Sequence, residues 1–310
     1  LILLEKDRIR MDITDLYALS PNNKPAINST SPDLPKWTNP PAGTDLTPME
    51  PIQLFDNCFF VGTRSVGAFV LETSEGLIMI DTGWNEKDCS QFVTDMRKLG
   101  LEPANIKLIL ISHEHLDHYG GAQYLKTNVC PDAKVAMSLV GWNYLMTRPA
   151  EFAYDNPRPK SIDYFLADRD KVILGQTTIQ VIATPGHSPG CLSFIIPITD
   201  KGRPHTIGMM GGTAVPNNWN EAYLYYSSID YFMRFTRLFH CDIGLGTHAV
   251  HLGFEKDMKI ILEKKAGDSN PLIIGTERFE SEYLQKFRDL FFARVNQLLK
   301  GSPPDPMRLI

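Results

Sequence analysis

The stretch ILISHEHLDHYGG, residues 109–121, decides how this chain is read. It opens inside KLILIS (107–112), a continuous apolar run of the kind a strand covered on both faces requires. It then places three of the chain's eight histidines, His113, His115 and His118, within six residues, with Asp117 among them. A helix is predicted over 120–126, so the cluster lies at the C-terminal end of a buried strand, where open α/β sheets place their sites. Imidazole nitrogens together with a carboxylate suit zinc. In an extended turn alternate residues project to one side, so His113 and His115 share a face while Asp117 and His118 point at another angle. One tetrahedral ion cannot easily use all four together with further ligands, whereas two ions can. A lone histidine here would read as a capping or solvated loop residue. Four donors packed as H-x-H-x-D-H need partners once buried, and metal satisfies them together. The zincin pattern H-E-x-x-H is absent, because position 117 is Asp.

Two later segments extend the set. TPGHSPG (184–190) puts His187 in a Pro/Gly turn after the predicted strand TTIQVIAT (177–184). CDIGLGTHAVH (241–251) is a predicted strand leading to His248, with His251 close behind. Ser188 is read as a turn residue, and His205 and His240 as outside the site. Upstream, NCFFVG (57–62), VGAFVLET (66–73) and GLIMID (76–81) read as short strands separated by turn signals, and 83–100 as a helix ending at Gly100. Further strands are expected at 133–137, 171–174, 191–197 and 205–210, and helices at 227–240, 254–265 and 277–299. The two halves share a strands-then-helices layout. That predicts two sheets stacked face to face with helices outside, a four-layer αββα sandwich of the α/β class.

Residues 20–51 are rich in Pro, Asn, Ser and Thr, so residues 1–51 are expected to form an extended N-terminal arm and 52–310 the folded domain that carries the histidine cluster. Trp37 is read as an anchor of that arm. Apolar residues make up 43% and charged residues 22% of the 310, ordinary globular usage. The net charge of −5 gives no electrostatic footprint for nucleic acid, and no apolar run reaches the length of a membrane span. Small molecules are the expected partners; oligomeric state is not legible. The five cysteines are odd in number and widely spaced, which suggests buried thiols with at most one disulfide. LILL at the start is too short for a signal-peptide core.

Asp81-Thr82-Gly83 after a strand, then H-x-H-x-D-H, then T-P-G-H, then a late His after a strand, resembles the ordered pattern of the metallo-β-lactamase superfamily across residues 55–250. The Pro-rich lead-in and the C-terminal helix after SNPLI also resemble subclass 3 of the class B β-lactamases. The resemblance implies two zinc ions. His113, His115 and His187 would hold the first, and Asp117, His118 and His248 the second, with Asp81 behind them orienting the site. It implies a metal-bound hydroxide as nucleophile on a lactam amide, Asp117 orienting that hydroxide and relaying its proton, and a place in antibiotic resistance. It also implies export to the periplasm, whereas a natural start at Met11 implies a cytoplasmic protein. One departure narrows the branch. Glyoxalase II and lactonases carry a bridging Asp in G-D-T, and here MMGGTAVP has Gly212 in its place. Subclass 3 enzymes also lack that ligand. They typically hold the substrate carboxylate with serines near this loop, where this chain has Thr213 and Ala214. Thr213, Ala214 and His251 are therefore the candidate substrate contacts, with Arg64 the candidate cation. The alternatives are a hydrolase of the same fold acting on a lactone, ester or sulfate, an iron redox enzyme and a non-catalytic binding module. His115 stands where flavodiiron proteins have Glu, and the complete ligand set argues against a binding module.

Overall fold

Alternation governs the first half of the chain. In strands β3 (Gly67–Thr73) and β4 (Gly76–Ile80), Phe69, Leu71, Ile78 and Ile80 join one apolar cluster, while Ala68, Val70, Leu77 and Met79 join another. Successive side chains leave opposite faces of a strand, so this sheet is buried on both sides. The computed structural model describes residues 40, 43–147, 158–265 and 267–301.

Their strands form two sheets. The first runs β1 (Ile52–Phe55), β2 (Cys58–Gly62), β3, β4, β5 (Ile106–Leu110), β6 (Lys134–Ser138) and β7 (Tyr164–Leu166). It is antiparallel from β1 to β4 and parallel from β4 onward. The second is ordered β12 (Ile243–Leu245), β11 (Arg203–Met209), β10 (Leu192–Asp200), β9 (Thr177–Ala183) and β8 (Lys171–Leu174), parallel only between β11 and β12.

Helix α1 (Glu86–Lys98) covers the outer face of the first sheet, with Phe92, Val93 and Met96 packed among Val61, Val70 and Met79. It is well capped. The Asn85 side chain accepts from the Asp88 N–H, Glu86 and Asp88 lie in the first turn and Arg97 and Lys98 in the last, as the helix dipole favours. Between the sheets, Phe60, Phe69, Ile80 and Leu110 share a core with Val181, Phe194 and Ile207. That core continues to Tyr225 and Phe232 of a helix over Trp219–Leu238 and to Phe287 of another over Gln285–Gly301. Helices outside two facing sheets are the arrangement expected from the strand pattern.

Several elements differ from the sequence reading. The helix expected at 227–240 begins at Trp219, because the Asn218 side chain accepts from the N–H groups of Asn220 and Glu221, and Ala222 and Tyr225 extend the buried face. The helix expected at 120–126 is broken into Leu116–Tyr119, Ala122–Tyr124 and a π-turn over Leu125–Val129. The C-terminal helix likewise carries a π-turn, Phe279–Leu284, between a first turn at Thr276–Arg278 and the long run Gln285–Gly301. Strands β1 and β7 and the helix Leu139–Thr147 were not foreseen. Most of the expected N-terminal arm, Trp37 included, lies outside the described residues. Its described end runs beside β2, with Met49 N–H donating to Gly62 O and Arg64 N–H to Thr47 O, both at 2.9 Å. All five cysteines are buried free thiols. Among the described residues no helix is long and apolar enough to cross a membrane.

Candidate metal centre

The site forms where strand ends of both sheets meet. From the first sheet, β4 leads into Asp81 and β5 into residues 112–118. From the second, β9 leads into the turn that carries His187, and β12 into His248. Two backbone bonds of 2.8 Å join the sheets at this edge, Leu192 N–H to Ser112 O and Gly67 N–H to Thr247 O.

Two sets of donors converge. His113 Nε2 lies 3.2 Å from His115 Nδ1 and 3.1 Å from His187 Nε2. Asp117 Oδ2 lies 3.4 Å from His118 Nε2 and 3.5 Å from His248 Nε2. Within each set all three donor atoms fall within 4.8 Å of one another. With zinc–nitrogen bonds of about 2.0–2.1 Å, the edge of a coordination tetrahedron is about 3.3–3.4 Å. The separations therefore match one small cation per set. His118 Nε2 is buried and has no hydrogen-bond partner among the described residues, as expected of an atom that serves a metal.

The opposite ring nitrogens are held by the protein. His187 Nδ1 donates to Ala214 O and His248 Nδ1 to Ser65 O, each at 2.7 Å. A carbonyl can only accept, so both rings keep the proton on Nδ1 and turn the Nε2 lone pair inward. His118 Nδ1 lies 2.6 Å from Asp81 Oδ2. Asp81 also accepts from Ser112 N–H and Ser112 Oγ, both at 2.7 Å. Asp81 is fully buried and sits at φ 62, a left-handed conformation that Asp tolerates better than most residues. Such backbone strain concentrates at functional sites.

Electrostatics follow from this crowding. Burial pushes His113 well below the ordinary histidine range, and the surrounding histidines add to the effect. Burial also lowers His187, partly offset by the Ala214 carbonyl. Burial disfavours the Asp117 carboxylate, yet His118, His248 and His115 outweigh it and hold its pKa far below the usual range. Burial alone would lower His118, but Asp117 and Asp81 on either side raise it to about 10.

Sequence reasoning missed three contributors: Ser65, Ser112 and Glu114. Glu114 stands between His113 and His115 and is fully buried. Its Oε1 accepts from Gly190 N–H and its Oε2 from Ser188 Oγ, both at 3.1 Å. It thereby ties the turn bearing His187 to the loop bearing His113 and His115. The signal was a carboxylate between two candidate ligands and a Ser-Pro-Gly after a third.

Gly186 in that turn has φ 134 and its α-carbon faces the Tyr225 backbone, so a side chain there is both strained and blocked. Gly212 passes so close to His187 that an added β-carbon would stand 2.4 Å from that residue's own β-carbon. The loop thus meets the centre as bare backbone. Thr213 is buried beside it and Ala214 is exposed. The backbone of His251 lies in the short helix Ala249–Leu252; its side chain is outside the described set. Arg64 corrects an expectation. Its Nε is 2.9 Å from Asp45 Oδ2 and its Nη1 bonds Glu255, so its charge is already neutralised. His205 belongs to neither donor set and pairs with Asp242 at 2.6 Å.

Comparison with known proteins agrees with this geometry. Residues 61–200 match the family described as the metallo-beta-lactamase superfamily. The chain is 31% identical over 113 residues to "Glyoxylase B2" of Dictyostelium discoideum, and 31% identical over 138 residues to "N-acyl homoserine lactonase AttM" of Azorhizobium caulinodans. These matches take in 36% and 42% of this chain, and it spans only 37% and 49% of those relatives. Among solved structures, the subclass B3 metallo-beta-lactamase BJP-1 of Bradyrhizobium japonicum superposes with a TM-score of 0.70 at 27% identity, over 84% of this chain and 98% of that one. The fold, the two donor sets at its strand ends and the match over 61–200 together show that the chain carries a domain of the metallo-beta-lactamase superfamily.

Proposed function

We propose that this protein is a dinuclear zinc hydrolase that opens the amide of a β-lactam. The observation that carries the reading is the pair of three-donor sets, His113, His115 and His187 beside Asp117, His118 and His248, each spaced for one small cation. The likeness to BJP-1 over most of the chain favours a lactam among the substrates such a centre can serve. So does Gly212, which offers no bridging donor.

Zinc bound there would polarise a carbonyl oxygen and bring the pKa of water to about 7. The chain's own residues supply the rest. His113, His187 and His248 turn Nε2 into the centre, their rings fixed by Ser112, Ala214 and Ser65. Asp117 stays ionised, so the carboxylate oxygen that does not serve the donor set can orient the attacking water and pass on its proton. Asp81 and Ser112 hold His118 in place from behind. Three protein donors per set leave a tetrahedral position open to water or substrate.

A second reading is hydrolysis of a lactone or another ester at the same centre. It is favoured by the named lactonase relative and by the engagement of Arg64 with Asp45 and Glu255. The test is metal content and turnover on one preparation. About two zinc ions per chain, with activity abolished by chelation, is the expected result, and no bound transition metal after zinc-replete expression would overturn the hydrolase reading. Turnover of nitrocefin but not of an acyl lactone supports the β-lactam assignment, and the reverse supports the second reading.

A further inference from the structure

The loop that holds His187 and the strand that delivers His248 are fastened together by a side chain from the C-terminal helix. Strands β11 and β12 pair in parallel, Ile207 with Ile243, Gly208 with Gly244 and Met209 with Leu245, and the pairing stops there. Past Met209 the chain becomes the loop that reaches Gly212 and Ala214; past Leu245 it runs to His248. The Tyr283 hydroxyl sits at this fork. It accepts from Met210 N–H at 3.1 Å and donates to Leu245 O. One oxygen thus spans the two strands where the backbone ladder no longer does. Burial raises the phenol well above its ordinary range, so the group stays a hydroxyl able both to accept and to donate.

The sequence makes room for this ring. Gly208 and Gly244 face each other in the register, and a β-carbon on Gly208 would stand 2.4 Å from the Phe279 ring and one on Gly244 2.2 Å from the Tyr283 ring. The paired glycines form a notch into which both rings drop. On a regular α-helix, side chains four apart drift by about 40° per step. The wider π-turn over Phe279–Leu284 offsets that drift. Phe279, Tyr283 and Phe287 are all buried, with successive ring centres 5.0 and 5.2 Å apart.

Hydroxyls hold the next residues of the loop as well. Ser193 Oγ accepts from Gly211 N–H and Tyr225 OH donates to Gly212 O, both at 3.1 Å. Three successive residues, Met210, Gly211 and Gly212, are therefore fixed just before Ala214 O meets His187 Nδ1. Of the three hydroxyls, that of Tyr283 also grips β12, three residues before His248. We infer that Tyr283 is a positioning residue for both donor sets, its one hydroxyl setting the carbonyl that holds His187 relative to the strand that carries His248. It acts from behind, through backbone. The inference rests on the two-metal reading above.

The experiment uses the full, isotope-labelled chain as wild type, Tyr283→Phe and Tyr225→Phe. NMR reads the Nδ1–H signals of His187, His248 and His118, and competition with a chelator reads zinc affinity at each set. Tyr283→Phe keeps the ring in its notch and removes only the hydroxyl. It is expected to shift the His187 and His248 signals and to speed their exchange with water, while His118, held by Asp81 at the end of β4, stays as in wild type. Zinc affinity should fall at both sets by about three- to tenfold, at or below the lower end for a direct outer partner. Tyr225→Phe, which releases only Gly212 O, should move His187 and the first set alone. Equal changes at His118 would show a general loosening of the fold and overturn the inference, as would a change at only one of His187 and His248 in Tyr283→Phe, or at neither. If wild type takes up no zinc, the hydrolase reading falls, and the same three signals in the metal-free protein still decide the role of Tyr283.

Discussion

Asp81 Oδ2 stands 2.6 Å from Nδ1 of His118, and both side chains are fully buried. This contact fixes which nitrogen of His118 faces the second donor set. Outer partners of this kind typically govern metal affinity by about ten- to a hundredfold. Asp81→Ala is expected to weaken binding at the second set by that factor in a competition titration against a chelator. Asp81→Asn tolerates the left-handed backbone and keeps an acceptor, so it should lose less. Unchanged affinity in Asp81→Ala would remove Asp81 from the site.

His248 and His251 both follow β12, and the Nε2 of His248 lies 3.5 Å from Asp117 Oδ2. His248→Ala is expected to retain about one zinc ion per chain, held by the first set, whereas His251→Ala should retain about two. Metal analysis after dialysis decides this. The opposite pattern would mean that His251 is the sixth ligand.

Glu114→Ala would leave Ser188 Oγ and Gly190 N–H buried with no acceptor, at a cost of about 1–3 kcal/mol for each group. Because those residues flank His187, the first donor set should lose metal before the second. Glu114→Gln, with one acceptor oxygen left, should fall between wild type and Ala in both metal content and melting temperature. Loss of stability with both metals retained would show that Glu114 supports the fold alone.

Gly212→Asp looks like a repair of the missing bridging ligand, but the space belongs to His187, 2.4 Å from the added β-carbon. The substitution is expected to lower metal content at the first set and to reduce turnover. A fully loaded, more active Gly212→Asp would show that the loop can move aside.

The Asp56 carboxylate accepts from Lys201 N–H at 2.9 Å and from Gly202 N–H at 2.8 Å, clamping the β10–β11 turn to the β1–β2 turn. The Gly202 bond holds its pKa below the ordinary aspartate value against a small burial effect, and Lys201 adds to this. A folded pKa below the unfolded one stabilises the protein above the unfolded value, about 3.9, and this stabilisation is lost as pH falls through the folded pKa. Asp56 is exposed, so the effect is small. Asp56→Ala should lower the melting temperature by about 1–3 °C at pH 7. The gap should narrow below pH 4. A gap that does not depend on pH would exclude the carboxylate's charge as its source.

The six donors were legible because metal chemistry restricts residue type and because strand ends put the candidates in a fixed order. Strands such as Gly76–Ile80 were legible from apolar runs bounded by turns. Ser112 and Glu114 were not, since a serine and a glutamate beside histidines have many uses and only the folded contacts select one. The early start of the Trp219–Leu238 helix was hidden in an aromatic stretch with weak helical periodicity, and its cap at Asn218 carried the information instead. Arg64 was misjudged because sequence does not show that Asp45 and Glu255, 19 positions before it and 191 after, close on it from both sides.

The donors come unequally from the two sheets: His113, His115, Asp117 and His118 from the first, His187 and His248 from the second. Each set takes exactly one member from the second sheet, so neither half of the chain owns a complete site. A pair of ions seated there would act as rivets through the seam between the sheets. Chemistry and cohesion are then one property, and any change that lets the halves slide apart disarms the centre without touching a single ligand.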